Sequence, residues 1–168
     1  NPDSVMNMAY LYRISDDEVK YREFVYKAVE INPHHPRSLS AKGMLYLNEC
    51  DYDNSIELLT RAYETNPKTV PFLEIMLLFC HLGKNDWISA HQSVDRSMRE
   101  NDHSRFHAFK AIILAHEDKI DESKLWLEKY QKNRPEIKTL EDYEKVVPSV
   151  NQEVKNILLD GIRKAGLK

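Results

Sequence analysis

Glycine is scarce in this chain, with 4 in 168 residues. That disfavours a turn-rich β fold and leaves helices as the expected elements. Cysteine is equally sparse. Cys50 and Cys80 are too few for a disulfide framework and are expected to be small buried residues in a reducing, cytoplasmic setting. There is no excess of positive charge: the formal net charge is −3 and the pI is near 6.2, so nothing global draws the chain to nucleic acid. No long apolar run exists either. The uncharged stretch Ile75–Gly83 falls far short of the roughly 20 residues that span a bilayer. Gly-rich phosphate loops, nucleophile elbows and HExxH patterns are also missing, so the chain is read as not an enzyme and as needing no cofactor. The opening Asn1-Pro2-Asp3-Ser4 carries no leader features and reads as the edge of a larger protein.

What the sequence does contain is a period. Ile31-Asn32-Pro33 is repeated 34 positions later as Thr65-Asn66-Pro67, and the same place returns as Asn101-Asp102 and as Asn133-Arg134-Pro135. Ala9, Gly43, Leu78 and Ala111 keep the same beat, at spacings of 34, 35 and 33. A period of this length marks stacked helix-turn-helix units, none of which can bury its apolar face alone. The second unit is the clearest. Pro36 sits at a helix start, Leu39, Gly43 and Tyr46 share one face, and Asp51 is placed to cap the next helix. Asn66 is expected to close that helix in a left-handed conformation, with Pro67 blocking continuation. Gly43 is expected at the contact of the paired helices.

These residues resemble the tetratricopeptide repeat family, whose first helix carries a large, a small and an aromatic residue. Its second helix carries a small residue, a large one and a terminal proline. Leu39, Gly43, Tyr46, Ser55, Leu59, Ala62 and Pro67 follow that pattern, as do Val5, Met8, Ala9, Tyr12, Val25, Ala28 and Pro33. Tyr21 departs from it, because a small residue is usual there, and the first two helices are expected to splay. In the third unit Leu78 and His81 replace the small and aromatic residues, while Trp87, Ala90, Val94 and Ser97 stay in phase. The fourth keeps Ala111, Leu114, Ser123, Leu127 and Pro135. The resemblance implies an all-α, right-handed solenoid of antiparallel helix pairs. The expected units are about 2–35, 36–69, 70–103 and 104–137, followed by capping helices over 138–168.

In that last segment Thr139 is placed to cap a short helix through Val146. Ser149 with Gln152 forms a candidate capping box for a final helix bearing Val150, Val154, Ile157, Leu158, Gly161, Ile162 and Ala165. The ending from Leu158 to Leu167 also resembles the tail after tetratricopeptide repeats in bacterial signalling proteins of the adenylate/guanylate cyclase type and in winged-helix transcriptional regulators.

Metal binding is considered and set aside. His103 and His107 lie four apart, but His103 falls at a turn and no third ligand follows at useful spacing. Asp16, Asp17, Asp51, Asp53, Asp86, Asp118 and Asp121 gather at expected helix starts, where capping accounts for them.

The resemblance implies a binding groove lined by the first helix of each unit. The candidates are Met6, Tyr10 and Arg13; Arg37, Ser40, Met44 and Asn48; Phe72, Ile75 and Phe79; and Arg105, Phe109 and Ile112. The Lys/Asn/Arg clamp of the family's chaperone-binding members is missing, since Met6, Tyr10, Ser40 and Met44 stand in its place. Phe72, Ile75 and Phe79 either line the groove or pack beneath neighbouring helices. The leading reading is a protein or peptide interaction module. A homodimerising or regulatory domain of a signalling protein comes second, and a helical-repeat RNA binder third. Neither a membrane nor nucleic acid is an expected partner.

Overall fold

The computed structural model describes residues 1–66 and 70–168, with the side chains of Val70 and Pro71 set aside; Pro67 therefore lies outside the described residues. The fold is all-α. Its helices are α1 (Pro2–Ile14), α2 (Glu18–Ile31), α3 (Pro36–Asn48), α4 (Tyr52–Thr65), α5 (Val70–Gly83), α6 (Trp87–Glu100), α7 (Ser104–His116), α8 (Ile120–Asn133), α9 (Leu140–Val146) and α10 (Gln152–Lys164). The chain divides into two compact units, Asn1–Cys80 and His81–Lys168.

One local device recurs within the pairs. The turn between the two helices of each pair holds a residue with positive φ: Asp16 (60°), Cys50 (61°), Asn85 (54°) and Asp118 (60°). The following N–H groups, of Asp17, Asp51, Asp86 and Lys119, donate at 2.9 Å to the carbonyls of Tyr12, Tyr46, His81 and Leu114. This is a Schellman closure, in which a left-handed residue lets the chain fold back onto its own last turn. Asp and Asn tolerate that conformation; Cys50 carries the ordinary L-residue cost. In three of the four turns the next residue is also the N-cap of the second helix. Asp17, Asp51 and Asp86 accept from the backbone N–H groups of Lys20, Asn54 and Ser89. Capping thus accounts for these carboxylates, as the sequence implied.

Junctions between pairs are built differently. Asn32, Asn66, Asn101 and Arg134 close their helices with φ of −148°, −142°, −157° and −133°. Asn66 is therefore extended rather than left-handed, contrary to expectation. The chain must travel onward to a new pair here, and a left-handed residue would fold it back.

Within the first unit, α1 packs on α2, α2 on α3 and α3 on α4. Met6, Ala9, Tyr21, Val25, Ala28, Ala41 and Leu45 form one buried cluster. Tyr21 does not splay α1 from α2, because its ring is buried within that cluster. At the contact of α3 with α4, a Cβ on Gly43 would stand 2.9 Å from Leu59 Cγ. The Ser55 hydroxyl donates to the Gly43 carbonyl at 2.8 Å. Ser123 repeats this bond in the fourth pair, donating to the Ala111 carbonyl at 2.7 Å. Of the two cysteines, Cys80 is buried as expected and its thiol donates to Ser55 Oγ at 3.2 Å; Cys50 is exposed at its turn.

In the second unit α7 packs on α6, α8 and α10, and α10 also meets α9. Thr139 caps α9 in a full capping box with Asp142. The N-cap of α10 is Asn151, accepting from Val154 N, rather than Ser149. Val154, Leu158, Gly161 and Ile162 are the buried stripe of α10. Gly161 is needed at the close approach to α7, since a Cβ there would lie 2.5 Å from Ile112 Cγ2.

Candidate functional site

The expected groove residues separate sharply by burial. Met6, Phe79 and Ile112 are fully buried and Phe109 is 2% exposed. The first three cannot line an open groove; they belong to the core. The cause is the stacking itself. Helix α7 is buried at nearly every position from Phe106 to Ala115, because three other helices cover it. Phe72 remains 45% exposed and Ile75 half-buried, so the third-repeat aromatics divide between surface and core. Arg13 and Asn48 are exposed, and Tyr10, Ser40 and Met44 half-buried. Arg37 is engaged already. It pairs with Asp3 at 2.9 Å, donates to Asn7 at 3.1 Å and lies over the Tyr10 ring.

A cavity of about 290 Å³ opens in the second unit. Its floor comes from α7, through Ala108 and Phe109, and its walls from Tyr130 near the end of α8 and Tyr143 of α9. Val146 and Pro148 complete the apolar part, while His103, Arg105 and Arg134 bring the polar groups. The architecture explains the opening. Helix α9 is only 7 residues long and meets α8 through the Tyr143 and Tyr130 rings.

His103 is the N-cap of α7, and its Nδ1 accepts from Arg105 N at 3.2 Å and from Arg105 Nε at 3.3 Å. Its neutral form therefore carries the proton on Nε2. Burial, with the charges of Arg105 and Arg134, holds the imidazole below its ordinary pKa. Arg134 donates through Nε to Glu136. Tyr130 and Tyr143 meet edge to face, with ring centroids 6.1 Å apart, and burial pushes both hydroxyls up in pKa.

Of the sequence candidates, the cavity gathers Arg105 and Phe109. It leaves out the other eleven in the groove set. Tyr130, Arg134 and Tyr143 were missed because the groove reading drew only on first helices of pairs. The signal that could have found them is the loss of period after Pro135, which leaves an incomplete fifth pair. Among the described residues no group of three or more His, Cys, Asp or Glu side chains could hold a metal ion. No described helix is long and apolar enough to cross a membrane.

Helix pairs closed four times by the same turn, at spacings near 34 residues, define an all-α helical-repeat fold. In agreement, residues 36–69 match the tetratricopeptide repeat family. The crystal structure of YrrB, described as "a TPR protein with an unusual peptide-binding site", is similar in fold, with a TM-score of 0.66 and 16% identity over 94% of this chain and 84% of that one. No curated protein sequence matches the chain significantly.

Proposed function

We propose that the chain is a non-catalytic protein interaction module, and that it takes a peptide segment at the cavity between α7, α8 and α9. The observation that carries this reading is a concave site on a helical-repeat framework, with aromatic walls and two arginines at its edge. Aromatic and arginine side chains are the usual energetic centres of protein interfaces. The similar fold of YrrB, whose description names a peptide-binding site, supports the same class of ligand. The test is selection of peptides from a random library on the full chain, followed by amide hydrogen exchange. Protection gathered at α7, Arg134 and α9 is the expected result. No enriched peptide, or protection elsewhere, would overturn the reading.

A second reading, self-association, rests on a separate observation. Leu11 (59%), Ile14 (82%) and, across the turn, Val19 (77%) leave large apolar side chains in water at one end of the first unit. Sedimentation across micromolar concentrations decides it: a constant monomer mass removes this reading. The regulatory role suggested by the tail from Leu158 to Leu167 receives a structural alternative. Leu158, Gly161, Ile162, Ala165 and Leu167 are buried, and Asp160 pairs with Arg163 and Lys164 at 2.6 and 2.9 Å.

A further inference from the structure

The cavity in the second unit has a polarity that names its ligand. Its lining includes two guanidinium groups and no carboxylate. Arg105 has no carboxylate partner among the described residues; its Nε is turned to His103. Arg134 has Glu136 on Nε, which leaves the two terminal amino groups of its fork without a partner among the described residues. Tyr130 and Tyr143, 2% and 3% exposed, bring their rings to the same lining.

We propose that the group seated in this cavity is a carboxylate of a bound peptide, held by Arg105 and Arg134 with the Tyr130 and Tyr143 hydroxyls donating, and with an adjacent apolar side chain against Phe109 and Val146. The proposal rests on the peptide-binding reading of the same site and specifies its chemistry. Planar guanidinium forks match the two oxygens of a carboxylate. The apolar floor favours an anion joined to hydrocarbon over a bare inorganic one. A cavity of about 290 Å³ is at the small end of ligand sites and suits one side chain or chain terminus. Because burial raises both tyrosine pKa values, both phenols keep the O–H they would donate.

The test is a titration of the isotope-labelled full chain followed by amide NMR. One probe is N-acetyl-leucine, with a free terminal carboxylate. The others are its neutral amide, a capped glutamate amide with only a side-chain carboxylate, and inorganic phosphate. Expected are shifts confined to residues 103–109, 130–134 and 143–147 with one or both carboxylates at roughly millimolar concentration. Their relative strength tells a chain terminus from an acidic side chain. Arg105→Gln and Arg134→Gln should each weaken binding about tenfold, with Arg105→Lys in between. Both arginines lie at the surface, so the parent spectrum should persist elsewhere in the variants. Equal shifts with the neutral amide, equal binding of phosphate, no shifts at all, or Gln variants that bind like the parent would each overturn the proposal. If library peptides still protect α7 and α9 while carboxylate and amide act alike, only the carboxylate assignment falls. If no peptide is enriched, the underlying reading falls with it.

Discussion

The two compact units use the same helix-pair framework and place their arginines differently. In residues 1–80 cations are spent on neighbours: Arg37 on Tyr10 and Asp3, Lys20 on Tyr12, and Lys42 on both Tyr26 and Tyr46. In residues 81–168 Arg105 has no carboxylate partner among the described residues, and it lines a cavity together with Arg134, Tyr130 and Tyr143. Repeats alone therefore do not create a site. The cavity opens where the period fails, beside the short helix α9.

The comparison breaks most severely at Ile112. A charge placed at this fully buried position, as in Ile112→Asp, has no partner and is expected to cost more than about 4 kcal/mol, unfolding the second unit. Trp87 and Trp126, the only tryptophans, both lie in that unit, so their fluorescence reads its loss directly. A retained, cooperative tryptophan transition would show that Ile112 is not core.

The two close-approach glycines come next. Gly161→Ala drives a Cβ into the stiff branched side chain of Ile112 at 2.5 Å and the His116 ring at 2.9 Å, and is expected to cost about 1–3 kcal/mol. Gly43→Ala meets the more flexible Leu59 side chain at 2.9 Å, and since both variants gain about 1 kcal/mol of helix propensity, its net cost should be smaller. Denaturant midpoints in the reverse order would refute this packing account.

Smaller still is Cys50→Gly, which removes an L-residue from a left-handed turn and should stabilise the first unit by about 1 kcal/mol. An unchanged midpoint would mean that the turn opens without cost. The smallest effect is linked to pH. Hydrogen bonds from Ser89 hold Asp86 low, those from Lys138 and Thr139 hold Asp142 low, and Lys164 with Arg163 does the same for Asp160. A depressed carboxylate contributes stability that is present above the unfolded pKa of about 4 and is lost as pH falls through the folded value. Tryptophan-detected stability of the second unit should thus decline below about pH 4. A flat profile there would remove these contacts from its energetics.

Features set by a few consecutive residues were legible before the structure. Pro36, Asp51 and Thr139 start or cap helices because their chemistry acts within one turn. The left-handed turn residues escaped notice because none is glycine, although Asp16, Cys50, Asn85 and Asp118 keep the same 34, 35 and 33 beat as the small residues. Burial escaped for a different reason. Spacing tells which residues share a face, but not how many neighbours a helix has, so Met6 and Ile112 read as groove and Phe79 stayed open between groove and core, when all three are buried. The cavity was half visible, through Arg105 and Phe109. Its other walls come from α8 and α9, brought together only by tertiary packing.

The two thiols give this chain a built-in clock. Cys50 stands in water at its turn, while Cys80 is buried, with a thiol pushed up to about 11. A thiol reagent at neutral pH should consume one equivalent at once and the second only as fast as the helix around Cys80 opens. The lag between them times the breathing of the first unit, with no mutation and no attached probe.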